Sequence, residues 1–300
     1  MSAPDPPPRW PRDVPGTRFT DVRHLAAVDS TNRVVLEEAA AGAGEGLVVV
    51  ADHQSAGRGR LDRRWEAPPG TNLLVSVLLR PDLPLTALHR CATAVALAAA
   101  EACSSVAGLA VGCKWPNDLV VGDRKLAGLL AETVQGPVTG RPPAPAPAAA
   151  GARAAGSGAG WGPVAVVVGV GLNVDWPGPG DEVPPDLQGR ATSIRAETGR
   201  RVDRPALLQA LLVDLHGRLL DLQAPGGASR LAAAYRERCA TLGRRVVVET
   251  ARATVVGTAE AVDDDGALVV VGDDGARHVV VVGDVVHLRP EDDGSAAPGT

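Results

Sequence analysis

The spacing of hydrophobic residues changes several times along the chain, and each spacing predicts one kind of element. The unbroken apolar run at 47–51 is typical of a strand that is buried on both faces. The stretch 86–103 is rich in Ala and Leu and contains neither Gly nor Pro, which favours a helix. Over 203–222, Leu and Val recur every three or four residues, the pattern of an amphipathic helix that begins after Asp203. After Gly243 the apolar runs are short and separated by Asp-Gly turns, which indicates a small β-barrel.

The same reasoning assigns the rest of the chain. We predict helices over 31–41, 86–103, 203–222 and 228–240, and strands over 47–51, 72–79, 111–116, 118–121, 125–134 and 164–174. The Ala, Pro and Gly residues of 136–163 cannot bury enough apolar area to offset the entropy of ordering, so we interpret them as a low-complexity, disordered insertion. The resulting domains are a disordered tail at 1–20, a main domain at 21–240 with the insertion inside it, a barrel at 241–290 and a second disordered tail at 291–300.

Composition excludes several classes of protein. The net charge of −5 argues against a general binder of nucleic acid or of membrane surfaces. The four cysteines show no C-x-x-C spacing and the six histidines are scattered, so we expect reduced thiols and no structural metal. The Pro-rich N-terminus lacks the apolar segment of a secretion signal, and the uncharged stretch 154–174 opens with Gly and Ala rather than with a membrane-spanning run. We therefore expect a cytoplasmic protein that does not contact the membrane.

Lysine and asparagine are rare, and their few copies fall in short motifs. Of 30 basic residues two are lysine, and asparagine occurs four times. The motifs are DSTN (29–32), GTNL (70–73), KWPND (114–118), RKLAG (124–128) and GVGLN (169–173). Lysine is a compact point charge whereas arginine is a planar fork, so a lysine kept in an arginine-rich chain suggests a specific role. The alternative is chance combined with the preference of asparagine for turns.

The stretch AGRGRLDRRW (56–65) concentrates cations on a flexible segment. Its arginines are Arg58, Arg60, Arg63 and Arg64, and glycines flank the first of them. Glycine lets a backbone approach a ligand closely, and the arginine fork suits phosphate oxygens. A solvated surface loop explains the composition equally well, and a polybasic nucleic-acid patch is a weaker alternative. No G-x-x-x-x-G-K-[ST] phosphate-binding motif occurs in the chain.

These motifs, in this order, resemble those of the biotin protein ligases. DSTN, Q-x-A-G-R-G-R, KWPND, R-K-L-A-G-L-L-x-E and G-x-G-x-N follow one another as they do in that family, and the resemblance spans about residues 24–290. It implies an α+β fold: a mixed sheet with helices, like that of class II aminoacyl-tRNA synthetases, followed by an SH3-like C-terminal β-barrel. Two features depart from the family pattern, namely Asp62 inside the arginine-rich segment and the insertion at 136–163.

The resemblance also implies roles for particular residues. The residues implied to act in catalysis are Arg60, Lys114 and Lys125. Those implied to bind biotin are Ser30, Thr31, Asn32, Gln54, Arg58, Gly59, Arg60 and Lys125. Those implied to bind the nucleotide are Arg58, Arg63, Trp65, Lys114, Asn117 and Asn173. No residue is predicted to ligate a metal directly.

Several of these residues also have structural interpretations. Ser30 or Asp29 could cap the first helix, alone or in addition to binding a ligand. Asp118 could hold an arginine of the loop or could be a turn residue. For Trp115 we expect packing rather than ligand contact, and for Asn72, at the start of a strand, a structural role.

The expected function follows from the resemblance. A biotin protein ligase forms biotinyl-5'-AMP from biotin and ATP with Mg²⁺, holds no prosthetic group, and then transfers biotin to a lysine of a biotin carboxyl-carrier domain. About twenty residues precede the main domain, too few for the helix-turn-helix module of repressor-type members, so we expect no DNA binding. A monomer or weak homodimer is expected. The alternatives are a lipoate or octanoate ligase of the same fold and a non-catalytic, biotin-responsive regulator.

Overall fold

The structure is a computed structural model that describes residues 8–61, 63–135, 164–250, 253–281 and 283–287. The predicted insertion at 136–163, the predicted tail at 291–300 and the departure at Asp62 lie outside the described residues.

Seven strands form the main sheet. They are β1 (Asp21–Leu25), β2 (Leu47–Ala51), β3 (Leu73–Leu79), β4 (Gly112–Lys114), β5 (Asp118–Val121), β6 (Arg124–Gln135) and β7 (Val164–Leu172). Their order is β1-β2-β3-β7-β6-β5-β4, and only the β1–β2 pair within this described sheet is parallel. The central strands β2 and β3 are buried along their whole length, as their unbroken apolar runs predict.

Helices cover both faces of this sheet. They are α1 (Thr31–Ala40), α2 (His89–Ala107), α3 (Ile194–Thr198), α4 (Arg204–Gln223) and α5 (Gly227–Arg238). Successive residues of a strand point to opposite faces, so Val49 of β2 packs with Val35 of α1, whereas Val48 belongs to the larger core beneath α2 and α4. None of the helices within the described residues combines the length and apolar character that crossing a bilayer requires.

The C-terminal strands form a second sheet. They are β8 (Arg245–Glu249), β9 (Thr254–Val262), β10 (Leu268–Val271), β11 (Arg277–Val280) and β12 (Asp284–His287). All neighbouring pairs are antiparallel, in the order β11-β10-β9-β8-β12. The prediction of an α+β fold with a mixed, helix-covered sheet and a separate C-terminal β-unit is confirmed.

The prediction of a disordered tail over 1–20 is wrong for residues 8–20. Val14 and Phe19 are buried, and the amide of Val14 donates to the carbonyl of Phe19 at 2.9 Å. Strand β1, which was not predicted, explains this order. It pairs with β2 at the edge of the sheet, and the residues that precede it pack into the core. The short helix α3 was also missed. It begins at Ser193, whose hydroxyl accepts a hydrogen bond from the amide of Ala196.

Candidate functional site

Three glycines leave a shallow depression on the main sheet, and the side chain of a tryptophan occupies it. Gly128 of β6 lies opposite Gly171 of β7, and Gly169 lies two residues along the same strand. A Cβ atom added to Gly171 would lie 2.4 Å from the indole of Trp65, and one on Gly169 would lie 2.2 Å from Oδ1 of Asn32. We call Gly128, Gly169 and Gly171 the glycine patch. The patch brings the GVGLN and RKLAG motifs together with Trp65 and Asn32.

Trp65 ends the segment 57–65, which we call the arginine loop. The loop folds back on itself: the amide of Trp65 donates to the carbonyl of Gly57 at 3.0 Å, and the amide of Gly59 donates to the carbonyl of Arg63 at 2.7 Å. Gly57 is needed at its position, because a Cβ there would lie 2.3 Å from the carbonyl oxygen of Trp65. The turn between the two arms contains Leu61, which has a left-handed φ of 54° and an exposed side chain.

A set of neutral polar groups, all buried except the half-buried Gln54, lies at one end of the patch. It consists of Thr31, Asn32, Gln54 and Ser76, which we call the polar cluster. Oε1 of Gln54 accepts from the amide of Thr31 at 2.7 Å and from its hydroxyl at 3.0 Å. The hydroxyl of Ser76 donates to Oδ1 of Asn32 at 2.6 Å. Because these partners come from α1, β3 and the loop after β2, the cluster is fixed by the fold itself.

Ser30 lies next to this cluster at the start of α1. Its backbone is extended, as at an N-cap, but its side chain makes no capping hydrogen bond. The carboxylate of Asp29 instead accepts from the amide of Ser30 at 2.6 Å. The hypothesis that the Ser30 hydroxyl caps the helix is therefore wrong, and that hydroxyl is not committed to the helix terminus.

At the other end of the patch, cations are paired with carboxylates. Nζ of Lys125 lies 2.7 Å from Asp118 and 5.6 Å from the centre of the Trp65 ring. Nη2 of Arg58 lies 2.8 Å from Glu132. The hypothesis that Asp118 holds an arginine of the loop is wrong, because its partner is Lys125. The antiparallel pairing of β5 with β6 brings these two residues together.

Glu132 joins the two ends of the site. The same Oε2 atom accepts from Arg58 at 2.8 Å and from the amide nitrogen of Asn32 at 2.8 Å. Glu132 stands in the RKLAGLLAE stretch but was given no role at the sequence level. Its place as the last residue of the R-K-L-A-G-L-L-x-E motif was the available signal.

The second motif lysine, Lys114, lies between the sheet and the barrel. Burial lowers its pKa, while the nearby carboxylates of Asp118 and Asp284 oppose that shift. Asn117 connects this motif to the arginine loop, because its Oδ1 accepts from Arg60 at 3.1 Å. The predicted residues Lys114, Asn117 and Arg60 are therefore close together.

Asn173 is placed differently from the other predicted residues. It is buried, its amide nitrogen donates to the carbonyl of Thr192 at 2.9 Å, and its Oδ1 accepts from Asn72 at 3.0 Å. Asn72 in turn accepts from the amides of Val174 and Trp176. The expected structural role of Asn72 is confirmed, and the Asn173 amide is engaged in the same internal network. Trp115 packs as expected, buried with its Nε1 donating to a barrel carbonyl.

Metal and thiol chemistry receive no support from the described part of the chain. No group of three or more His, Cys, Asp or Glu side chains within it could hold a metal ion. The four cysteines are free and buried, and burial raises the pKa of Cys91, Cys103 and Cys113 to about 12. A thiol with so high a pKa is a poor nucleophile at neutral pH. The cationic groups that the site does present are the ammonium of Lys125 and the guanidinium groups of Arg58 and Arg60.

Comparison with known proteins gives consistent matches in both parts of the chain. The sequence model of the Biotin/lipoate A/B protein ligase family matches residues 25–140, and that of the Biotin protein ligase C terminal domain matches residues 241–288.

Three individual proteins illustrate the similarity. The biotin--[acetyl-CoA-carboxylase] ligase of Mycobacterium tuberculosis is 38% identical over 281 residues, which cover 91% of each chain. The bifunctional ligase/repressor BirA of Bacillus subtilis is 28% identical and is covered over 70% of its length. The solved biotin protein ligase of Aquifex aeolicus, in complex with biotin and ATP, superposes with a TM-score of 0.71 over 90% of this chain and 100% of its own, at 23% identity.

Proposed function

This chain belongs to the biotin protein ligase family and is a ligase, and from that premise we propose that it joins biotin to AMP and passes biotin to a lysine of a carrier protein. The observation that carries the proposal is the arrangement around the glycine patch. A set of neutral hydrogen-bonding groups lies at one end, three cations (Arg60, Lys114 and Lys125) lie at the other, and Arg58 shares Glu132 with the neutral set. Biotin needs both, because its ureido ring is neutral and polar whereas its carboxylate is an anion.

The first step joins two anions. A carboxylate oxygen of biotin attacks the α-phosphorus of ATP, a new phosphorus–oxygen bond forms, and the bond to the β-phosphate breaks to release pyrophosphate. Two unit charges at ~4 Å repel by about 4 kcal/mol at an effective dielectric constant near 20. Fixed cations offset this repulsion and stabilise the charge that develops in the transition state.

Lys125, Arg58 and Arg60 suit this task. The Lys125 ammonium lies beside the glycine patch, where a carboxylate on the sheet could exchange for Asp118. Arg58 belongs to the loop, and its guanidinium shares Glu132 with Asn32 of the polar cluster. It can therefore contact biotin and phosphate together. We assign Lys114 to the phosphates, since its ammonium is near enough to Lys125 for the two charges to interact, and burial is the main cause of its lowered pKa.

In the second step the acceptor lysine attacks the acyl carbon of the adenylate. The carbon–oxygen bond to AMP breaks, an amide forms, and the amine loses a proton. The adenylate would react with water if it were exposed, so a cover is required. Trp65 and the arginine loop provide one: the indole lies flat against the patch, and the arms of the loop are joined by backbone hydrogen bonds.

The polar cluster favours biotin over lipoate or octanoate. An apolar acyl chain offers no donors or acceptors to Thr31, Gln54 and the Ser30 hydroxyl, so it gains nothing from the hydrogen-bonding groups placed there. A ureido ring offers two donors and one acceptor. This is the feature that separates the proposed activity from that of the lipoate ligases, with which the chain shares a family model.

The finer assignments extend the proposal. We assign the carrier domain of an acyl-CoA carboxylase as acceptor, following the name of the M. tuberculosis relative. Mg²⁺ would enter with ATP, bound by its phosphates. The net charge of −5 supports an enzyme without repressor activity, although the B. subtilis relative is named a ligase/repressor. Four free, buried cysteines fit the reducing cytoplasm, and we propose a monomer or weak homodimer.

The proposal is tested by labelling of a carrier domain. Purified protein, biotin, ATP and Mg²⁺ should add one biotin to the carrier, measured by intact mass. A carrier whose acceptor lysine is changed to arginine is the matched control and should stay unmodified. Absence of labelling with biotin, together with labelling when lipoate is supplied, would overturn the assignment. Specific DNA binding at physiological salt in a gel shift would overturn only the claim about repression.

A further inference from the structure

The C-terminal barrel reaches over to the arginine loop at one point. Arg63 forms an ion pair with the carboxylate of Asp284, the first residue of β12. Nη1 of Arg60 donates to the carbonyl of Gly283 at 3.2 Å. The two arginines flank the turn of the loop, where the amide of Arg63 donates to the carbonyl of Arg60 at 3.2 Å. The two arms of the turn are thus attached to two adjacent barrel residues, Arg60 to Gly283 and Arg63 to Asp284.

We propose that Asp284 is a positioning residue that holds the arginine loop in its folded form over the site before substrates arrive. Loops are ordered only when contacts offset their conformational entropy. The backbone hydrogen bonds of the loop are few, and the Arg63 side chain is 66% exposed, so the loop's own contacts leave its tip weakly held. A carboxylate on a neighbouring domain supplies the missing attachment.

The barrel can serve as an anchor because it is itself fixed to the main domain. Nε1 of Trp115 donates to the carbonyl of Gly266 at 2.9 Å, and the amide of Trp115 donates to the hydroxyl of Thr241 at 3.0 Å. Trp115 belongs to the KWPND motif, so the barrel is attached to the same motif whose Asn117 accepts from Arg60. Asp284 therefore reaches the loop from a fixed position.

Asp284 is also seated firmly on its own sheet. It pairs with Glu249 of β8, and Gly283 packs so closely that a Cβ there would lie 2.8 Å from Val248. The Asp284 side chain is 26% exposed, much less than that of Arg63. The less buried partner of the pair is thus the loop arginine, which is the arrangement expected when the barrel positions the loop and not the reverse.

Limited trypsin digestion of the ligand-free protein tests this directly. Cleavage after Arg60 and Arg64, followed by mass spectrometry, reports how often the loop opens. Asp284→Asn should speed cleavage about threefold, the size expected for loss of an exposed ion pair. Asp284→Glu keeps the charge and should cleave at the wild-type rate. Asp273→Asn is the matched control, because that barrel carboxylate pairs with Arg245 at 2.7 Å.

A charge reversal across the ion pair provides a second, independent test. Arg63→Asp combined with Asp284→Arg should restore slow cleavage after Arg60 and Arg64, whereas either change alone should speed it. Equal cleavage rates in Asp284→Asn, Asp273→Asn and the wild type would overturn the proposal, as would a failure of the reversed pair to restore protection.

An activity measurement extends the test and rests on the proposed function. Asp284→Asn should raise the KM for ATP about threefold with kcat within about twofold, since the loop must be ordered before the phosphates can use it. A parallel fall in kcat with unchanged KM would contradict a positioning role. If the wild type does not adenylate biotin, the proposed function fails, and the digestion experiment still decides the role of Asp284.

Discussion

Three of the four residues of the polar cluster are buried and the four are joined by hydrogen bonds between neutral groups, whereas the arginine side chains of the loop are exposed and form ion pairs. Thr31, Asn32 and Ser76 are each at most 4% exposed, and the side chains of Arg58 and Arg63 are 46% and 66% exposed. The cluster is built from α1 and β3, which the core fixes. The loop lies outside the core, and its arginines form ion pairs with Glu132 and Asp284.

The difference separates stability from function. Removing a buried, hydrogen-bonded group leaves its partners unpaired and destabilises the fold. Removing an exposed cation changes stability little, because surface ion pairs contribute ~0–1 kcal/mol. We therefore expect substitutions in the polar cluster to reduce stability as well as binding, and substitutions in the loop to act mainly on catalysis.

The largest effect is expected at Lys125. Lys125→Arg keeps the charge but replaces a compact ammonium, packed between the Trp65 ring and Gly128, with a bulkier fork. Adenylate formation, measured as biotin-dependent pyrophosphate release, should fall about 100-fold. Arg124→Lys is the matched control at the adjacent exposed position and should remain within about twofold of the wild type. Near-normal turnover of Lys125→Arg would show that the charge alone matters.

A smaller effect is expected where the loop meets the sheet. Gly171→Ala places a Cβ 2.4 Å from the Trp65 indole, so the ring must leave the patch. Release of the cover should raise the KM for ATP about tenfold, corresponding to about 1.4 kcal/mol. Gly217→Ala, in α4 with nothing within 4 Å of the added Cβ, controls for a general glycine effect and should leave the KM unchanged. An unchanged KM in Gly171→Ala would mean that the indole does not cover the nucleotide.

A pair of alanine substitutions tests whether the polar cluster contributes more to stability than the arginine loop does. Asn32→Ala removes the hydrogen bonds that Asn32 makes with Ser76, Glu132 and the Leu130 carbonyl, and should lower the free energy of unfolding by about 1–3 kcal/mol. Arg58→Ala should change it by less than about 0.5 kcal/mol. Urea denaturation followed by circular dichroism measures both. Equal destabilisation by the two substitutions would contradict the claim that the polar cluster contributes to stability and the arginine loop does not.

The smallest effect concerns the pH dependence of stability at the domain junction. Burial, followed by the charges of Lys114 and Arg244, lowers the pKa of His287 to about 4, from an ordinary value of 6.5. Between these two values the unfolded chain binds a proton that the folded protein does not, so stability is lost as the pH falls from 6.5 towards 4. The Tm of the wild type should therefore fall more steeply over this range than that of His287→Gln. Parallel slopes would mean that His287 is not held neutral.

The sequence predicted the long, periodic elements well. The helices over 86–103 and 203–222 are present as α2 and α4, because their apolar spacing records the face that the core requires. The edge strand β1 was missed, since one residue of its five, Val22, is buried and no alternation is visible. Disorder was assigned to 8–20 from its proline content, whereas Val14 and Phe19 are buried by distant partners.

The candidate site was predicted as a set of motifs but not as a network. Rarity identified Lys125, Asn32 and Asn117, because a scarce residue in a biased composition stands out. Asp118 was considered as a partner of a loop arginine and pairs with Lys125 instead, whereas Glu132 and Asp284 were not found, since Asp and Glu are common in this chain. The Arg63–Asp284 pair joins residues 221 positions apart, and no local pattern can indicate such a contact.

Pyrophosphate release with biotin or with lipoate tests the central claim most directly. Purified protein with ATP and Mg²⁺ should release pyrophosphate when biotin is added and should show only background release with lipoate or octanoate. Release with lipoate and none with biotin would contradict the assignment of the polar cluster to a ureido ring, and with it the proposed function.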